Sequence, residues 1–186
     1  MIPSFDNEVR ACLAGALGSA LGAEVDARRI HLPARHADVS ARPPRESDPT
    51  RALGADYGAL WGAPLVSGVC AANGWLLFTF SDAFFRALIE RINAALPLPQ
   101  HDGSSHAVNR MLALARHGGE GCPPIPAMRR VLLEGICAGQ SPAAFRRAAR
   151  AAEALFHSIP PRERPALLDQ SGALGGALAR LLANVL

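Results

Sequence analysis

Val69-Cys70-Ala71-Ala72-Asn73-Gly74-Trp75-Leu76-Leu77-Phe78-Thr79-Phe80-Ser81-Asp82-Ala83-Phe84-Phe85 is the most informative stretch of this chain. Asn73-Gly74 separates two apolar runs, and both residues tolerate positive φ, so the spacing predicts a tight β-hairpin. Its arms are Leu65–Ala71, which alternates Leu65, Val66, Val69 and Cys70 around Gly68, and the aromatic-rich Trp75–Phe80. Ser81-Asp82 then caps a helix whose buried stripe is Phe84, Phe85, Leu88, Ile89 and Ile92.

Toward the N-terminus, Val9, Cys12, Leu13, Ala16, Leu17 and Leu21 recur at spacings of three and four, predicting a helix from Asn7 to Leu21. Asp6 and Asn7 serve as its caps and Gly22 ends it. Arg29-Ile30-His31-Leu32-Pro33 reads as a short strand stopped by proline. Residues 34–49 are rich in arginine, proline and aspartate and read as an exposed, mobile loop. Ser47-Asp48-Pro49 opens a helix through Ala52, Leu53, Tyr57, Leu60 and Trp61. Trp61, Trp75, Phe78, Phe80, Phe84 and Phe85 are read as core. The order is helix, strand, helix, strand, strand, helix, which describes a small α/β sandwich over residues 1–98.

Toward the C-terminus, Pro97 to Ser104 has linker composition, and beyond it each segment reads as helix. The expected helices run from Ser105 to His117, from Pro126 to Ala138, from Ser141-Pro142 to Ser158, and from Pro165 to Leu186. No period-2 segment follows residue 100. The expected class is therefore α+β: an N-terminal α/β sandwich followed, over 104–186, by an all-α bundle.

Composition excludes several chemistries. All nineteen basic residues are arginine, so neither a phosphate-loop lysine nor a Schiff-base lysine is available. Cys12, Cys70, Cys122 and Cys137 form no C-x-x-C pair, giving a zinc site little support and suggesting reduced cytosolic thiols. No G-x-S-x-G elbow frames a catalytic serine. The N-terminus lacks the pattern of a secretory leader, and no run of about twenty apolar residues predicts a membrane span. The net charge of +3 is unevenly spread: residues 1–98 hold nine arginines against ten acids, and 99–186 hold ten against six. That surplus directs an anionic partner to the second half.

The hairpin and following helix, Asn73-Gly74-Trp75 through Ala83-Phe84, resemble the end of the N-terminal domain of arginyl-tRNA synthetases, where a Gly-Pro-Gly-Phe-Ile-Asn-Phe-type hairpin leads into a helix opening with Ala-Phe. The first helix and the Ile30-His31-Leu32 strand occur in the family's order. The family's Gly-Asp-Tyr/Phe motif has no counterpart; its place falls around His36 to Pro44. The second half resembles the anticodon-binding domain that closes the same enzymes. His106-Ala107-Val108-Asn109-Arg110 stands where that domain has Tyr-Ala-His-Ala-Arg, and Leu182-Ala183-Asn184-Val185-Leu186 where it has a Leu-Ala-Asn-Gly-Leu-like run. In the family these ends flank a nucleotide-binding core with a His-x-Gly-His signature and a Lys-Met-Ser-Lys loop. Here a short linker stands in that place and lysine is absent.

The resemblance therefore implies a non-catalytic, cytoplasmic tRNA-binding protein without cofactor, metal or membrane association, with arginine tRNA as ligand. Arg146, Arg147 and Arg150 share one face of their helix, opposite Phe145, Ala149, Ala152 and Phe156, and suit backbone phosphates, as do Arg129 and Arg130. His106, Arg110 and His117 repeat at helical spacing and suit stacking and phosphate contacts. For each set the plain alternative is a solvated face. Two other readings stand beside RNA binding: an adaptor for a tRNA-modifying enzyme or synthetase, and a decayed synthetase remnant without RNA binding.

Overall fold

The computed structural model describes residues 4–97 and 126–158, together with Ala177, Arg180 and Leu181. The chain is mixed α and β, and its internal contacts divide it into two compact units, one of Ser4–Ala87 and one that begins at Leu88. The expected helix 105–117, most of the expected helix 165–186 and nearly all of the linker lie outside the described residues, as do the side chains of 126–128, Phe156 and Ser158.

In the first unit, helix α1 (Phe5–Leu21) buries Phe5, Val9, Leu13, Ala14, Leu17 and Leu21. Ser4 rather than Asp6 or Asn7 is the residue before its first turn. Asp6 is instead buried, accepting a hydrogen bond from Ser4 Oγ (3.2 Å) and lying 3.8 Å from Arg10 Nε. At the far end Gly22 adopts φ +66°, ψ +30° and donates to Gly18 O, a left-handed cap that a side chain would strain. Arg10 donates to the carbonyls of Ile30 and Leu32 and so ties α1 to strand β1 (Ile30–His31).

β1 begins an antiparallel sheet of order β1-β2-β6-β5, with β2 at Val39–Ala41, β5 at Val66–Ala72 and β6 at Trp75–Phe80. The strand β2 corrects the expected loop: three small residues in the arginine-proline stretch form an interior strand, all of them buried. Ladders to β1 on one side and β6 on the other pair its backbone, and Asp38 Oδ2 anchors the end of β6 by accepting from Phe80 N at 2.8 Å. The segment after β2 is ordered too, because Pro44 O accepts from both Ser47 N (3.1 Å) and Ser47 Oγ (2.7 Å). The hairpin joining β5 and β6 matches expectation, with Asn73 at φ +52° and Gly74 at φ +76°.

Helix α2 is only Thr50–Leu53, its start held by Asp48 Oδ1 accepting from Thr50 N at 2.9 Å. The expected continuation through Tyr57 and Trp61 is wrong. A small ribbon of β3 (Ala59–Leu60) and β4 (Ala63–Pro64) replaces it, turning through Trp61 at φ +53° and Gly62 at φ +79°. A tryptophan in the left-handed region is costly. Stacking on Phe84 (5.8 Å, 14°), an edge contact with Phe5 and a 2.8 Å hydrogen bond from Nε1 to Glu8 hold it there.

Tyr57 is buried, its hydroxyl donating to Ala52 O at 2.7 Å and its ring meeting Phe78 edge-on. Burial pushes its pKa up from 10.0 to about 12. It is the sole tyrosine, and no lysine titrates beside it. Tyrosinate absorbance is therefore expected to rise with a midpoint near 12 in native protein and near 10 in denaturant. Because the folded pKa is the higher, the stability linked to Tyr57 is complete below pH 10 and is lost between about 10 and 12. A native midpoint at 10 would show the ring to be solvated.

Helix α3 (Asp82–Ala95) starts as expected, with Ser81 Oγ accepting from Phe84 N at 3.0 Å. Phe84 and Phe85 close on Phe80, and Leu88, Ile89 and Ile92 are buried. In the second unit, helix α4 (Pro126–Ile136) and helix α5 (Pro142–Ser158) pack together. Ser141 Oγ caps α5 by accepting from Ala144 N at 3.1 Å. The buried stripe of α5 is Ala144, Ala148, Ala152 and Leu155, so Phe145 and Ala149 lie at its margin. In the same unit Arg180 donates to Leu96 O and Asn93 Oδ1, both at 2.8 Å.

Candidate nucleic-acid interface

Alternation along β6 sorts the sheet into two faces. Leu76, Phe78 and Phe80 are buried, while Trp75 and Leu77 are half-buried and Thr79 is exposed. The register places Ser40 and Cys70 beside Leu77, Ala72 beside Trp75, and His31 beside Ser40, all on the more open face. His31 meets the Trp75 ring edge-on at 5.2 Å, and Arg42 Cζ sits 5.9 Å from its centroid. A cation over an indole face is electrostatically favourable.

Arg28 and Arg29 come from a single 3₁₀ turn, Ala27–Arg29, held by Asp26 Oδ1 accepting from Arg28 N at 2.8 Å. Arg42 and Arg45 come from the ordered segment after β2. These four exposed arginines, with His31, Pro43 and Trp75, line a cleft of about 410 Å³ with no carboxylate among its lining residues. Arg29 and Arg45 also line a second cleft of about 520 Å³, shared with Leu21, Gly22, Ala23, Pro44, Glu46 and Ser47. An aromatic platform rimmed by guanidiniums can stack a base and neutralise phosphates at once.

This chain matches no family model, no curated protein and no solved structure.

The sequence-predicted residues are placed differently. His106, Arg110 and His117 lie outside the described residues. Arg130 Nη2 lies 2.8 Å from Glu134 Oε1, and Arg147 Nε 3.5 Å from Glu134 Oε2, so these two arginines converge on one buried carboxylate. Oε2 makes no hydrogen bond, so the Arg147 contact is an unaligned ion pair. Arg129 is half-buried on α4. Arg146 and Arg150 are exposed one turn apart, Arg150 Nε donating to Arg146 O at 3.3 Å. Their face of α5 lies opposite the buried stripe, and Arg146 edges a cleft of about 480 Å³ with Phe145 and residues 138–142.

One reading changes: Trp75, read as core, is half-buried and presents its ring on the open side of the sheet. The signal that marks Trp75 is its parity: it shares a face with Leu77 and Thr79, not with Leu76, Phe78 and Phe80. Among the described residues no group of three or more His, Cys, Asp or Glu side chains is placed to hold a metal ion, and no helix is long and apolar enough to cross a membrane.

Proposed function

We propose that this is a non-catalytic, cytoplasmic RNA-binding protein, an α/β sandwich followed by an anticodon-binding-like helical bundle, with tRNA as its ligand. The resemblance of both halves to the ends of arginyl-tRNA synthetase points to arginine tRNA. The observation that carries RNA binding is the Trp75 ring under Arg42, with Arg28, Arg29 and Arg45 around it. Unpaired bases offer π-faces and a phosphate at every step, and this cleft answers both. On the helical half, Arg146 and Arg150 supply an exposed pair of cations to the same polyanion.

A gel-shift titration at two salt concentrations tests the reading. Affinity is expected to fall steeply with salt and to favour arginine tRNA over a random RNA hairpin. Salt-independent binding, or equal affinity for the hairpin, would remove tRNA as the ligand. The adaptor reading has one specific observation behind it: Glu134 takes up Arg130 and Arg147, which suits a protein partner better than a phosphate backbone. A protein retained stoichiometrically after RNase treatment of a native pulldown would favour it.

A further inference from the structure

The two clefts of the first unit share Arg29 and Arg45 but are otherwise chemically opposite. The first is aromatic and cationic. The second is bounded by the last residues of α1, Leu21 and Gly22, and by the Glu46 carboxylate. At the α1 C-terminus Arg51 Nη1 donates to Leu21 O at 3.4 Å, so the acceptor this cleft offers is the Glu46 carboxylate. Glu46 is exposed and sits beside Arg45 in the turn that Ser47 closes onto Pro44 O. The turn thus fixes an anion-binding group and a donor-binding group next to each other.

We propose that the paired clefts form one track for a single-stranded dinucleotide step, with Glu46 selecting a nucleotide that presents hydrogen-bond donors. This rests on the RNA-binding reading of the Trp75 cleft. One base stacks at Trp75, the connecting phosphate is held by Arg29 and Arg45, and the neighbouring nucleotide enters the second cleft. There a carboxylate accepts two donors in parallel, and the N1–H and N2–H₂ edge of guanine supplies both. Duplex RNA is excluded, because its guanine edge is already paired.

Fluorescence-anisotropy titration of the full chain with labelled hexamers tests this. The probes are a uridine hexamer, the same strand with one central guanosine, with inosine in that place (lacking the N2 amine), and the guanosine strand built on deoxyribose. The guanosine RNA is expected to bind about tenfold tighter than the uridine hexamer. The inosine strand, one donor short, loses most of that gain, whereas the deoxyribose strand, its guanine edge intact, binds within a few-fold of the guanosine RNA. Glu46→Gln erases the guanosine preference. Equal affinity for all four probes overturns the selective track and leaves RNA binding standing. So does a preference that survives Glu46→Gln. Failure of every hexamer to bind overturns the RNA-binding reading beneath it.

Discussion

Replacing Phe84 with alanine is expected to cost the first unit about 3–5 kcal/mol, the usual loss for a fully buried phenylalanine. Its ring is inaccessible and meets Phe80 at 4.5 Å, Phe85 at 5.5 Å and Trp61 at 5.8 Å. It therefore joins β6, α3 and the turn of the small ribbon. Removing it opens a cavity and withdraws the stacking partner that holds Trp61 at positive φ. Against a typical domain stability of roughly 5–15 kcal/mol, such a loss leaves a marginal fold. A urea titration followed by tryptophan fluorescence checks it. A loss below about 1 kcal/mol would mean that the aromatic cluster is not the centre of this unit.

The second large effect concerns binding. Trp75→Ala is expected to weaken tRNA affinity by roughly 5- to 150-fold, the loss of one stacked base. Arg29→Ala and Arg45→Ala should each flatten the dependence of log affinity on log salt by nearly one unit, as phosphate contacts do. Together the three changes should lower affinity by two to three orders of magnitude at moderate salt. The arginines are exposed and Trp75 is half-buried, so thermal unfolding of the variants should stay close to that of the parent. Arg130→Ala and Arg147→Ala, whose guanidiniums converge on Glu134, should change tRNA affinity far less. Larger losses from the second set would place binding on the helical unit.

The contrast between these two sets marks what could be read from sequence. Local signals were legible wherever one residue type has one physical use. Asn73-Gly74 turned the hairpin, Gly22 capped α1, and Ser81 and Ser141 capped the helices after them. What failed depended on partners distant in the chain. Val39-Ser40-Ala41 carries no strand pattern of its own and becomes interior only because β1 and β6 flank it. Trp61 and Tyr57 fit a helical spacing, yet ring contacts with Phe84 and Phe78 hold them in a ribbon and a loop.

The Trp75 cleft was invisible for the same reason. Its residues come from 28–31, 42–45 and 75, and no window of sequence contains them together. Net charge is equally silent about placement. The arginine-rich second half holds two of its cations against Glu134, while the first half, with ten acids against nine arginines, gathers Arg28, Arg29, Arg42 and Arg45 at one cleft. A sum over a segment does not report where its charges stand.

The protein has two tryptophans, so Trp61→Phe leaves Trp75 as a single reporter. Titrating this variant with arginine tRNA while following both Trp75 fluorescence and electrophoretic mobility tests the proposed interface most directly. Stacking of a base on the indole predicts quenching that saturates at the same tRNA concentration as the mobility shift. A complex that forms with Trp75 emission unchanged would contradict an interface on this sheet.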